Sequence, residues 1–342
     1  MSKVLPARHP KMPGNLHCIK KSGVFLLLVR ATAVASALAT YGVYADEIEE
    51  ASERHAYVSG INVMQAFVAA YPEQVKKVIF ADGNWALESR GGRFYWARGR
   101  LLPEAVLAET DRYSRHSFYS YGDDLPQIRE FSETDESALR ARITEREHSS
   151  IGRHPGLYNA IWRIDSKGTA WGLVKTTFFL GKKVMIHREL LEDLASVEEE
   201  LLFLMKTDKS LAQYMDSIAY LEGYNWRAIA GTISLSNHSY GIAIDFVPKR
   251  TDGKETYWRW ARDRFANWFS LPHEQRFMPP RSFIRAFEKR GFIWGGKWFY
   301  FDTIHFEYRP EILALNGYQK IVAAQDYGHR IEEVWIPPGQ EY

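Results

Sequence analysis

The sequence predicts an α+β fold: a small antiparallel sheet flanked by helices, preceded by an α+β accessory region. Three observations lead there. Leu190, Leu191, Leu194, Val197, Leu201 and Leu202 recur at the 3.6-residue spacing of a helix. Thr169–Leu180 and Ile242–Val247 are β-branched and aromatic, the composition of strands. Helical and strand-like runs follow one another without an internal repeat, a low-complexity tract or a Pro/Ser-rich linker.

Taken in order, residues 1–45 read as an export signal. A basic stretch to Lys21 leads into apolar Gly23–Val29 and Ala31–Ala39; Val43-Tyr-Ala45 fits the small-residue cleavage rule, and acidic Asp46–Glu50 follows. Arg30 interrupts the apolar run, at a cost of about 2.5–3.5 kcal/mol in mid-bilayer, so the segment is a poor membrane span. An uncleaved N-terminal anchor is the alternative. The accessory region is residues 46–187. It opens with a helix over Val63–Tyr71 that ends before Pro72, then a hairpin in Ala86–Trp96 turning at Gly91-Gly92. Glu136–Glu147 has helical composition, Thr169–Leu180 reads as a strand, Gly181–Lys183 as its turn and Val184–Ile186 as a second strand. A boundary falls near residue 187, and residues 188–342 form the second domain. Its helices run from Glu189 and over Lys209–Tyr220. Pro279-Pro280 opens a short helix with Phe283, Ile284 and Phe287 on one face, and Gly291 closes it. Phe292–Trp294 and the turn at Gly295-Gly296 follow.

Residues 1–45 hold six of the 44 basic residues and none of the 42 acidic ones, so the remainder carries about four more acids than bases. A general nucleic-acid or anionic-membrane binder needs a basic surface, and this chain lacks one. The one cysteine, Cys18, lies in the leader. The mature chain therefore has no disulfide, and any metal must take N and O ligands.

Two stretches carry chemistry. In Ser236–Asp245, His238 and Asp245 are seven apart, with Gly241 between them where a bend is cheap. A polar Asp245 inside the buried-strand run Ile242–Val247 is costly unless paired or metal-bound. In Asp302–Glu307, alternation puts His305 and Glu307 on one strand face and Ile304 and Phe306 on the other. His238, Asp245 and His305 make a three-ligand catalytic zinc set with a fourth position open to water. Asp302, at the start of the strand, is placed to act as the base for that water. A Ser-His-Asp triad through Ser236 is set aside, because Ser236 lacks a nucleophile-elbow context.

These residues resemble the zinc D-alanyl-D-alanine carboxypeptidases and dipeptidases, together with phage endolysins that cleave L-alanyl-D-glutamate bonds. The likeness rests on Arg227, Ser236, His238, Gly241, Ala243, Asp245, Gly291–Gly296, Trp298, Asp302, His305 and Glu307, and covers roughly residues 189–311. It implies zinc on His238, Asp245 and His305, Asp302 as catalytic acid/base, and Arg227 polarising the scissile carbonyl. An Asp rather than Glu at 302 is similar to the endolysin-like branch. Each remaining residue has a second reading. Arg227 is a carbonyl partner or a surface charge, and Glu307 orients a ligand or faces solvent. Ser236 bonds substrate or caps a turn, and Trp298 and Trp294 wall a cleft or pack the core.

The expectation is an exported zinc peptidase, periplasmic or on the cell envelope, acting on peptidoglycan stem peptides as a carboxypeptidase or an endopeptidase. The alternatives are a non-catalytic cell-envelope peptide-binding protein that keeps the fold, and a zinc hydrolase for an unrelated amide or ester.

Overall fold

The computed structural model describes residues 60–324 and 331–339, so the expected export segment lies outside the described residues. Among the described residues no helix is long and apolar enough to cross a membrane. Helix α1 (Gly60–Ala70) buries Val63, Met64, Phe67 and Ala70 on one stripe. It leads into an antiparallel meander of β1 (Val75–Ala81), β2 (Asn84–Ser89), β3 (Gly92–Ala97) and β4 (Arg100–Leu102). Ser89 pairs with Gly92, which puts the hairpin turn where the glycines predict it. Helix α2 (Glu133–His148) is N-capped by the Ser132 side chain and buries Leu139 and Ile143 beside Trp258 and Trp268. Helix α3 (Gly156–Trp162) follows.

The predicted strand over Thr169–Leu180 is corrected in its first half. Lys167–Leu173 is helix α4, and only Val174–Phe179 is strand β5, paired with β6 (Lys182–His187). Ser166 and Thr169 form a reciprocal capping box that starts the helix, a local signal that overrides the β-branched composition. The helix predicted to Tyr220 also stops early. After α5 (Leu191–Leu204), helix α6 (Lys209–Ser217) gives way to β7 (Ile218–Glu222), whose backbone pairs with β8 (Ala243–Pro248).

Helices α7 (Trp258–Arg264) and α8 (Arg281–Glu288) precede β9 (Phe292–Trp294) and β10 (His305–Tyr308). Helix α9 (Pro310–Leu315) and the hairpin β11 (Gln319–Ala324) and β12 (Ile331–Ile336) complete the order. The sheet that matters runs β7-β8-β10-β9, antiparallel throughout. Its two faces differ. Ile244, Phe246 and Phe306 point into the core, where Phe246 meets Phe283 of α8 at 4.9 Å and Phe306 meets Phe287 at 4.7 Å between ring centroids. The other face carries Asp245, His305 and Glu307. The architecture is thus α+β with small antiparallel sheets and helices, as the sequence predicts. One hydrophobic core contains Val63, Phe67 and Leu157 from before residue 187 and Leu194, Phe246 and Phe306 from after it.

Candidate metal centre

The register of β8 against β10 sets Asp245 directly opposite His305. His238 comes from the short 3-10 turn Asn237–Tyr240, which Ser236 caps by accepting from the His238 backbone N–H at 3.4 Å. Gly241 ends that turn at φ +67°, a left-handed conformation that glycine adopts cheaply, and the chain then enters β8. The result is a cluster in which ligand atoms of His238, Asp245 and His305 all lie within 4.8 Å of one another. His238 Nε2 is 3.2 Å from Asp245 Oδ2 and 3.3 Å from His305 Nδ1, and His305 Nδ1 is 2.7 Å from Asp245 Oδ1. Tetrahedral ligands at about 2.0–2.1 Å from a zinc ion stand roughly 3.3 Å apart, so the set fits such an ion with little movement.

The outer nitrogens confirm the fit. His238 Nδ1–H donates to the Gly223 carbonyl at 2.6 Å, which leaves Nε2 as the ligand atom. The backbone approaches closely there, since a Cβ on Gly223 would sit 2.0 Å from the Met185 carbonyl oxygen. His305 Nε2–H donates to Glu307 Oε2 at 3.1 Å, which leaves Nδ1 facing Asp245. Ligating histidines are oriented in this way by a carbonyl or carboxylate on the far nitrogen. Glu307 Oε2 also accepts from Asn237 Nδ2 at 2.7 Å, and Oε1 lies 3.3 Å from Arg309 Nη1. Glu307 is therefore a buried partner of His305 rather than a solvated strand residue.

Electrostatics follow the geometry. Burial alone would lower the His305 pKa, but Asp245 and Glu307 on either side raise it well above the ordinary imidazole value. Burial opposes ionisation of Glu307, yet the His305 hydrogen bond and the Arg309 charge hold its pKa down to about 2. Asp245 is likewise held ionised against burial by the two imidazoles. Asp302 goes the other way. Burial, then the Asp245 charge, pushes its pKa up to about 7.

Asp302 sits at the foot of β10, its backbone N–H donating to the Gly295 carbonyl at 3.0 Å. Its Oδ1 is buried without a hydrogen-bond partner among the described residues. Arg227 is exposed on the loop after β7, and its charge acts on Asp302, lowering the carboxyl pKa. Trp298 packs its ring 5.5 Å from that of His305, with its indole N–H buried and without a hydrogen-bond partner among the described residues. Trp294 is fully buried, its indole N–H donating to the Thr303 carbonyl at 2.8 Å, so it packs the core.

The sequence reading missed Asn237, Arg309 and Glu311. A signal for two of them existed: the alternation of His305 and Glu307 continues to Arg309 and Glu311. A half-buried Tyr119, whose buried hydroxyl has no partner among the described residues and whose ring lies 6.1 Å from that of Trp298, had no such signal.

Residues 63–118 match a domain of unknown function. No curated protein and no solved structure matches the chain. Residues 230–308, which hold His238, Asp245, Asp302, His305 and Glu307, match the family described as D-alanyl-D-alanine carboxypeptidase. The segment that builds the metal-ligand cluster is thus similar to a family of peptidases.

Proposed function

We propose that the protein is a zinc peptidase that hydrolyses a peptide bond in peptidoglycan stem peptides, and that it acts outside the cytoplasm. The single observation that carries this is the His238–Asp245–His305 cluster, with both imidazoles braced from behind and Asp302 beside it, inside the segment similar to D-alanyl-D-alanine carboxypeptidases. The acid-free, apolar N-terminus supports export.

His238 Nε2, His305 Nδ1 and an Asp245 oxygen would hold the ion. When bound, zinc supplies a Lewis acid that polarises a carbonyl and acidifies a water. The remaining steps belong to the chain. Asp302 takes the proton of the attacking water and delivers it to the leaving amine nitrogen, so one carboxyl serves as base and then as acid. Its raised pKa suits both roles. Arg227 brings a permanent positive charge to the oxygen that becomes negative as the carbonyl is attacked. Trp298 packs its ring against His305 and so forms the wall of the site on that side. Ser236 caps the turn that carries His238. The Asp at 302 favours the endolysin-like branch.

Mass spectrometry of muropeptides after incubation with the protein tests this reading. The expected result is one new product from wild type that His305→Ala does not form. Retention on sacculi without any cleavage would instead favour the non-catalytic binding protein.

A further inference from the structure

We infer that Tyr71, Tyr158 and Arg153, all N-terminal to residue 187, position the ligand His305 by fixing Glu307 through two arms of hydrogen bonds, the first buried throughout and the second half-buried where Arg153 meets Asn237. The inference rests on the zinc reading above and assigns the N-terminal region a task within the metal centre.

The first arm is a row of alternating charges. Arg309 Nη1 lies 3.3 Å from Glu307 Oε1, and Arg309 Nε pairs with Glu311 Oε1. Glu311 is wholly buried, and its two oxygens accept from two phenols: Oε2 from Tyr71 at 2.7 Å and Oε1 from Tyr158 at 3.2 Å. Tyr71 follows α1 and Tyr158 lies on α3, some 240 and 153 residues from Glu311 along the chain. The second arm starts at Arg153. Its Nη2 donates to Asn237 Oδ1 at 3.3 Å, and its guanidinium lies 4.2 Å over the Tyr158 ring. Asn237 in turn donates its amide to Glu307 Oε2.

Glu307 is thereby held from three sides, by Asn237, Arg309 and His305. A carboxylate so fixed can orient the His305 ring only one way, with Nδ1 toward Asp245. The charges need this termination. Arg309 is 4% exposed, and a buried guanidinium shared by two carboxylates divides its pull according to how well each is otherwise satisfied. Two phenol donors stabilise the Glu311 charge where it stands. Without them Glu311 competes differently for Arg309, and the geometry of Glu307 shifts with it. Tyr71 falls in the segment that matches a domain of unknown function, and Ser117 of the same segment accepts from Arg309 Nη2 at 3.4 Å.

The test measures zinc affinity by chelator competition and the visible absorption of the cobalt-substituted protein, in full-length wild type, Glu311→Gln and the double variant Tyr71→Phe/Tyr158→Phe. Thermal unfolding serves as the control for folding. Outer partners of metal ligands are worth about 10–100-fold in affinity, so Glu311→Gln should bind zinc on the order of 10-fold more weakly. The double variant should move several-fold in the same direction, and both should shift the cobalt bands. Folded variants with wild-type affinity and an unchanged cobalt spectrum would overturn the inference. If Glu311→Gln does not fold, the double variant decides by the same two readouts. A wild-type protein that fails to bind zinc would instead bring down the functional reading, and this inference with it.

Discussion

His305 and Asp245 stand directly opposite each other on β10 and β8, with Nδ1 and Oδ1 2.7 Å apart and both side chains buried. Without metal this pair is an ion pair, because Asp245 and Glu307 together outweigh burial and raise the His305 pKa. The stability it contributes is therefore full below the ordinary imidazole pKa of about 6.5 and is lost as pH rises through the raised value. A metal must displace that proton. Zinc binding near neutral pH should release about one proton, and affinity should weaken as pH falls. Calorimetry in buffers of different ionisation enthalpy measures the release; a binding heat independent of buffer would contradict it.

Asp302→Asn separates chemistry from metal binding. The amide cannot take a proton from water, so kcat should fall by about 10²–10⁴-fold while zinc affinity stays within a few-fold. In wild type, activity should be lost on the acid side as Asp302 protonates. That limb should lie above the ordinary carboxyl range, since burial and Asp245 raise the Asp302 pKa. A variant with near-normal kcat would remove Asp302 from the mechanism.

Arg227→Ala should lower kcat by roughly 10²–10³-fold, the usual cost of removing one charge-stabilising donor from a developing oxyanion. Zinc affinity and the unfolding midpoint should hold, because the side chain is exposed. Arg227→Lys should recover only part of the loss. Full activity in Arg227→Ala would return the residue to the ordinary protein surface.

The parts of this site that were legible in the sequence are those whose signal is local. Alternation in Asp302–Glu307 placed His305 and Glu307 on one face, and the polar Asp245 in an apolar strand announced a partner. Local signals also misled where two competed: β-branched composition pointed to a strand at Thr169, while the capping box at Ser166 made a helix. The braces behind the ligands were not legible. Tyr71, Arg153 and Tyr158 reach Glu311 and Asn237 across 84 to 240 residues of chain, and nothing near them in sequence marks a tyrosine that supports a carboxylate.

His187 predicts an acid weakness away from the metal. It is fully buried, donates from Nε2 to the Trp162 carbonyl at 3.1 Å, and burial lowers its pKa to about 4. The unfolded chain protonates first, near pH ~6.5, so stability present above that value is lost as pH falls toward 4. The loss is on the order of 3 kcal/mol at most. Urea unfolding from about pH 7 to about pH 5 should show a smaller decline in His187→Asn than in wild type. Equal declines would show that His187 is not the titrating group.

In the proposed function, His238, Asp245 and His305 hold a zinc ion on which peptide hydrolysis depends, with Asp302 as the base. Release of product from a stem pentapeptide tests it, measured in chelator-stripped protein, in the same protein after one equivalent of zinc, and in zinc-restored Asp302→Asn. No turnover is expected in the first, restored turnover in the second, and zinc bound with turnover lost in the third. Turnover that survives stripping, or that is undiminished in Asp302→Asn, would contradict it.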